Sequence, residues 1–231
     1  MKRSEINTVM RSAKDFLQEH MFYLPPFAHW SPDEWRSKGP EAAEIVHTQL
    51  GWDITDFGMG NFARYGLFLF TIRNGRPENL QNHQGKLYAE KVLIVNENQV
   101  TPMHFHWGKM EDIINRGGGS LVIQLYQSKP DESLDQESPV EVMVDGMPRG
   151  IPAGGTVALQ PGESITLTRG LYHAFWAEGG RTLVGEVSLV NNDASDNRFL
   201  EAPGRFPTIA EDEAPLHLLV GDYAAFYSPR G

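Results

Sequence analysis

The chain has 231 residues, 40% of them hydrophobic and 10% aromatic, enough to bury a sizeable core and unlike a disordered or fibrous sequence. Thirty Asp and Glu against twenty Lys and Arg leave a net charge of −10, which, with no basic patch in view, argues against partners such as nucleic acid or an anionic membrane. Cysteine is absent, so disulfides, thiolate metal sites and a cysteine nucleophile are excluded.

The N-terminus MKRSEINTVMRSAKDFLQEH is basic but lacks the apolar centre of a secretory signal, and no apolar run approaches a membrane span, so a cytoplasmic protein is expected. Ser4 can cap a first helix running to about Met21, because Ile6, Val9, Met10, Ala13, Phe16 and Leu17 recur at spacings of three and four. Pro25 and Pro26 break it. Ser31-Pro32-Asp33-Glu34 reads as a capping box opening a short helix that ends at Gly39, and Pro40 to Leu50 reads as a third helix closed by Gly51.

From Trp52 the pattern changes to short runs rich in Val, Ile, Leu and aromatics, separated by Gly, Pro, Asn and Asp. Strands are expected at 66–73, 88–95, 99–107, 111–115, 120–127, 140–144, 156–159, 164–168, 173–177 and 182–190. Strands in this number without intervening helices predict an all-β sandwich or closed barrel. Asp131 to Pro139 is a polar acidic loop, and the tail after Asn191 has no clear period. A single domain is expected, with residues 1–51 as a helical segment packed on a barrel formed by residues 52–231.

The segment TPMHFHWGKMEDI, Thr101 to Ile113, gathers the chemistry. On an extended strand His104 and His106 share a face, and beyond a turn at Trp107-Gly108 Glu111 can return a carboxylate to the same ion. His173, after PGESITLTRGLY, is the fourth candidate ligand. Three imidazoles and a carboxylate suit Mn²⁺, Fe²⁺, Zn²⁺, Co²⁺ or Ni²⁺, and an octahedral ion so held keeps two adjacent positions open for neighbouring substrate oxygens. A lone His-x-His on a strand is more often a surface or core pair; Glu111 and the distant PG…H are what favour the metal.

Lys109 either points toward the ion, where it would stabilise charge growing on an oxygen, or is a solvated turn lysine. Glu186, in TLVGEVSLV, is a carboxylate within an apolar strand; it either faces the site, as a candidate proton-transferring base, or forms a structural ion pair. NNDASDNRF reads as a solvated turn, or else as the source of Asp193 and Arg198 for binding hydroxyl groups at the barrel mouth. Glu90-Lys91 is another charged pair entering an apolar strand, with Lys91 a candidate substrate-binding group. Among Trp30, Trp107, Phe175 and Trp176, one or two are expected to offer a flat face to a substrate, Trp30 being counted a candidate substrate-binding group, although core packing is the more frequent use of such residues. His29 lies in HWSPDEW, a segment that could fold over a barrel mouth.

The order H-x-H-x4-E, followed far downstream by PG and G-x-x-H, resembles the paired motifs of the cupin superfamily. Gly117 or Gly118 stands for the glycine closing the first motif, and Pro161, Gly162 and His173 for the second. Where cupins often carry an Asn shortly after the last His, this chain has Trp176 and Ala177. The segments MHFHWGKMEDIINRGGG, PGESITLTRGLYHAFW and EVSLVNNDASDNRF together resemble the bacterial D-lyxose isomerases. That resemblance covers most of the chain and implies a mainly β cupin jelly-roll barrel with N-terminal helices. It also implies a homodimer and a manganese-dependent ketol-isomerase interconverting D-lyxose with D-xylulose, and often D-mannose with D-fructose. Carried over by motif, His104, His106, Glu111 and His173 hold the metal and Lys109 is the catalytic lysine; the role of Glu186 rests on the residues alone. Proton transfer through a metal-chelated cis-enediol and a hydride shift both stay open. The rival readings are a cupin Fe²⁺ dioxygenase and a non-catalytic sugar-binding or regulatory cupin.

Overall fold

The computed structural model describes residues 1–201, 204 and 207–229; residues 202, 203, 205, 206, 230 and 231 of the expected C-terminal tail lie outside the described residues. Helices α1 (Arg3–Glu19), α2 (Pro32–Ser37) and α3 (Ala43–His47) come first, followed by strands β1 (Gly51–Thr55) and β2 (Leu67–Arg73). Helix α4 (Pro77–Asn82) leads to β3 (Tyr88–Val95), β4 (Thr101–Phe105), β5 (Glu111–Ser128) and β6 (Leu134–Asp135). The remainder is β7 (Val140–Val144), β8 (Met147–Ile151), β9 (Thr156–Leu159), β10 (Ser164–Leu167), β11 (Tyr172–Leu189), β12 (Arg198–Phe199) and α5 (Tyr223–Phe226). All the strand pairings are antiparallel, in the order β1-β2-β3-β11-β5-β10-β7-β8, with β4 joined to β11 and β12, and β6 and β9 joined to β5.

Strands β5 and β11 are each one 18-residue strand where the sequence suggested two shorter ones. They pair along most of their length and bend at glycine-rich points, Gly117 to Gly119 against Gly179 and Gly180, with register shifts between Glu178 and Thr182 and between Leu183 and Val184. Bulges of this kind let one strand serve both halves of a curled sheet. The result is a mainly antiparallel cupin-type barrel with helices on one side.

Alternation along β2 and β3 divides the core. Leu67, Leu69, Leu93 and Val95 point into the barrel with Ile113, Ile123 and Phe175, whereas Phe68, Phe70, Val92 and Ile94 point outward beneath Ile6, Met10, Ala13 and Leu17 of α1. A 17-residue helix is marginal alone, but about 2 kcal/mol for each large apolar side chain buried is enough to hold it on the sheet.

Several boundaries differ from expectation for local reasons. Lys2, not Ser4, is the N-cap of α1, its N–H donating to Glu5 Oε2 at 2.7 Å, while Ser4 turns its N–H and hydroxyl to Asp212. The Ser31–Glu34 capping box forms as read. The third helix stops at His47 after a 3₁₀ turn at Pro40–Ala42, because Gln49 takes a left-handed conformation, and Gly51 opens β1 instead of closing the helix. Strand β8 was not anticipated, although Asp145-Gly146, both at positive φ, is a strong two-residue hairpin signal. No helix among the described residues is long and apolar enough to cross a membrane.

Candidate metal centre and active site

The inward faces of β3, β4, β5 and β11 build one cleft, with about 450 Å³ of empty space including its open mouth. His104 lies directly across from His173 in the β4–β11 pairing, and the ligand atoms of His104, His106 and His173 all lie within 4.8 Å of one another. Each ring is oriented by a main-chain carbonyl: Nδ1 of His104 lies 2.7 Å from the oxygen of Pro102, that of His106 2.8 Å from Asp196, and that of His173 3.0 Å from Leu171. An Nδ1–H donated in this way leaves the Nε2 lone pair directed at the centre, the usual orientation of metal-binding histidines.

Glu111 Oε1 sits 3.4 Å from His106 Nε2 and 3.3 Å from His173 Nε2. Buried Nε2 of His173 has no hydrogen-bond partner among the described residues. A carboxylate oxygen facing two imidazole lone pairs is repulsive unless a proton or a cation lies between them, and cis donors around an octahedral ion with bonds of about 2.1 Å stand about 3 Å apart, close to the spacing seen here. The residues therefore fit a divalent ion. Burial, reinforced by His173 and His106, holds His104 well below its ordinary pKa and so neutral. Burial works against charge on Glu111, but Lys109 and then His106 outweigh it and keep the carboxyl well below the usual range.

A second layer adjoins these donors. Lys109 Nζ donates to Glu111 Oε2 at 2.7 Å, to Glu186 Oε1 at 2.8 Å and to Asn191 Oδ1 at 3.3 Å. Burial would lower the Lys109 pKa, yet Glu111, Glu186 and Asp193 together raise it above its ordinary value. Lys91 lies across from Glu186 in the β3–β11 register, its Nζ 2.8 Å from Asn191 Oδ1, 3.3 Å from Asp193 Oδ1 and 3.4 Å from Glu186 Oε1. Glu186 thus faces the cleft and pairs with two lysines. Its Oε1 serves both, while Oε2 makes no hydrogen bond among the described residues.

The cleft brings together His104, His106, Glu111, Lys109, Glu186, Lys91 and Asp193. It does not bring in Trp30, which packs 5.1 Å from Trp35 in the helical layer beneath Lys38. The reason is that the segment before β1 covers the outer face of the sheet and not the mouth. Arg198 also departs from expectation: its Nε donates to Glu132 at 3.1 Å and its guanidinium to the Phe199 carbonyl, and it does not line the cleft. Of the other aromatics named, Phe175 lines the cleft, whereas Trp107 and Trp176 donate to Glu132 and Glu178. Glu90 points outward to Arg73 at 2.8 Å, separating it from Lys91.

Sequence reasoning missed Asn191, Asn197 and Asp196. Asn197 lines the cleft, and the Asp196 carboxylate receives the N–H groups of Gly108 and Lys109 at 2.7 and 2.9 Å. The only signal was the density of Asn and Asp directly after a strand carrying a buried carboxylate.

Residues 1–223 match the family model described as D-lyxose isomerase. The chain is 47% identical over 229 residues to the D-lyxose/D-mannose isomerase of Escherichia coli O157:H7, spanning 98% of this chain and 100% of that one. It is 30% identical over 173 residues to the D-lyxose ketol-isomerase of Cohnella laeviribosi, covering 70% and 82%. Among solved structures, the ligand-free L-ribose isomerase of Cellulomonas parahominis shares the fold, with a TM-score of 0.58 at 17% identity over 91% of this chain and 98% of that one. The whole-length match, carried on a barrel whose cleft holds this cluster of donors, establishes that the chain belongs to the D-lyxose isomerase family and is a sugar isomerase.

Proposed function

We propose that the protein is a metal-dependent aldose–ketose isomerase that interconverts D-lyxose and D-xylulose, and D-mannose and D-fructose, by proton transfer through a cis-enediol. The observation that carries this reading is Lys109, whose ammonium touches both a candidate metal ligand, Glu111, and a cleft-facing carboxylate, Glu186. Support for the substrates comes from the names of the relatives, D-lyxose/D-mannose isomerase and D-lyxose ketol-isomerase.

His104, His106, His173 and Glu111 would hold a divalent cation; the family resemblance implies Mn²⁺, and the same donors suit Zn²⁺, Co²⁺, Fe²⁺ or Ni²⁺. When bound, the ion supplies Lewis-acid polarisation of the sugar carbonyl and its neighbouring hydroxyl. Glu186 Oε2, which makes no hydrogen bond among the described residues, takes the proton from C2 of the aldose and returns it to C1. The matching proton on O2 must reach O1, and Lys109, charged and anchored on both sides, is placed to stabilise the developing oxyanion and relay that proton. Lys91 and Asp193 then bind hydroxyl groups along the chain of the sugar, and Phe175 faces its C–H bonds. The reading includes a cytoplasmic homodimer, the dimer following from the family resemblance.

The test is proton NMR of D-lyxose with the Mn²⁺-loaded protein in D₂O, the ion being removed before the spectrum is taken. D-xylulose carrying deuterium at C1 is the expected product; unlabelled D-xylulose would replace Glu186 by a hydride shift. No ketose from D-lyxose or D-mannose with any divalent ion would overturn the assignment, and oxygen uptake with Fe²⁺ would then favour a dioxygenase.

A further inference from the structure

The two buried lysines share an acceptor that none of the roles assigned so far explains. Asn191 Oδ1 receives Lys91 Nζ at 2.8 Å and Lys109 Nζ at 3.3 Å, so one neutral oxygen lies between two like charges. Asn191 does not line the cleft. Its main chain is fixed from behind: Asn191 N–H donates to Asn74 Oδ1 at 3.0 Å, and Asn74 Nδ2 donates back to the Asn191 carbonyl at 2.9 Å. The same Nδ2 also donates to the carbonyl of Thr48 at 3.1 Å. Asn74 is buried, and an added Cβ on the adjacent Gly75 would meet the Lys86 carbonyl at 2.0 Å, so the turn is packed tightly in place.

The topology explains why a side-chain amide does this work. Strands β2 and β11 flank β3 and run parallel to each other, so their C-terminal ends lie at the same edge, on either side of the start of β3. Asn74 follows the end of β2 and Asn191 the end of β11. Beyond Leu189 the main chain has left its ladder with β3, and the Asn74 amide supplies the donor and acceptor that a strand would have offered.

We propose that Asn191 is a positioning residue for the isomerisation: its Oδ1 sets the Nζ atoms of Lys91 and Lys109 against Glu186 and Glu111, and Asn74 acts through it by clamping its main chain. All three protons of the Lys109 ammonium are engaged, by Glu111, Glu186 and Asn191. The bond to Asn191 is the longest of the three, hence the one a substrate oxygen replaces most readily. Its function is to hold the ammonium ready before the sugar arrives, which makes the expected defect one of turnover more than of binding. This inference rests on the proposed isomerase function.

The test is steady-state isomerisation of D-lyxose by Mn²⁺-loaded wild type, Asn191→Leu, Asn191→Asp, Asn74→Ala and the Asn74→Ala/Asn191→Leu double variant, with bound metal and thermal midpoint measured on each. Asn191→Leu should lose about 30-fold in kcat with KM within about threefold of wild type and full metal content. Asn191→Asp, which keeps an oxygen facing both ammoniums, should retain about tenfold more kcat than Asn191→Leu. Asn74→Ala should lose about tenfold in kcat, and the double variant should be no slower than Asn191→Leu alone, because both act on one contact. A purely structural role would lower the thermal midpoints, give multiplying effects and show no rescue by Asp. If Asn191→Leu does not fold, Asn191→Ser withdraws the oxygen in its place. Wild-type kcat in the variant lacking the oxygen overturns the proposal while leaving the isomerase intact; a wild type that converts no sugar overturns both.

Discussion

Nδ1 of His106 lies 2.8 Å from the main-chain oxygen of Asp196, 90 residues downstream. That contact makes the loop after β11 part of the candidate metal centre, since the same residue's carboxylate receives the N–H groups of Gly108 and Lys109. Asp196→Ala should release the Trp107–Lys109 turn while leaving all four donors in the chain. The variant keeps the main-chain carbonyl that His106 meets and removes only the carboxylate that ties that carbonyl's loop to the turn; loss of an outer partner of a metal ligand costs about 10- to 100-fold in affinity, so loosening it should weaken Mn²⁺ binding, measured by titration, by up to about tenfold. Unchanged affinity would show that the Asp196 carbonyl stays on His106 without the carboxylate's hold on the turn.

Glu186→Gln separates proton transfer from charge balance. The amide keeps an oxygen for the two lysines but cannot accept a carbon-bound proton, so kcat should fall by about 100-fold or more. Bound metal should stay at the wild-type level, because Glu186 is not among the proposed ligands. Rates of deuterium entry and of ketose formation should fall together; ketose formed at an undiminished rate would exclude Glu186 as the base.

The parts of the site readable from the sequence were those carried by strand alternation. His104 and His106 lie two apart, and a carboxylate at Glu186 amid Val184 and Val187 is costly unless something in the interior answers it. What alternation could not reveal is which strands continue through a bulge, and so β5 and β11 each read as two. Nor does it say which side of a sheet a preceding helical segment will cover. Trp30 reads in the sequence as a flat aromatic face for a substrate, yet Phe68, Phe70 and Trp52 draw its segment to the outer face of the sheet. Asn191 and Asp196 act through a shared acceptor and a main-chain carbonyl, and Asn and Asp in a polar turn look the same whether they face solvent or a buried lysine.

Removing the metal should destabilise the fold as well as stop turnover. Without a cation, Glu111 Oε1 faces the Nε2 atoms of two buried histidines, at 3.3 and 3.4 Å. A ligand present at about a thousand times its Kd stabilises the native state by about 4 kcal/mol, so a chelator should lower the thermal midpoint by several degrees and Mn²⁺ should restore it. In Glu111→Ala the chelator-induced shift should shrink sharply. An equal shift in that variant would place the ion elsewhere.

Far from the cleft, His217 should make the fold sensitive to mild acid. Its ring stacks 5.8 Å from Trp52, Nδ1 lies 3.1 Å from the Trp30 carbonyl and Nε2 lies 3.2 Å from Lys14 Nζ. Neutral imidazole donates to the carbonyl and accepts from the ammonium; a protonated ring would meet Lys14 with like charge. Burial first, and then Lys14 and His29, outweigh the Trp30 bond and push the His217 pKa below its ordinary value, and His29 is lowered by burial and Lys14 in turn. The unfolded chain therefore binds protons before the folded one does as pH falls below about 6.5, so the stability held in full above that pH is lost progressively toward the folded pKa. Lys14→Met removes one cause of both shifts and should lessen that loss. Urea midpoints of the metal-free proteins at pH 7.5 and pH 5 make the comparison, since acid effects on the metal ligands are common to both and cancel in the difference. An acid-induced drop equal in wild type and Lys14→Met would assign it to groups other than the histidine pair.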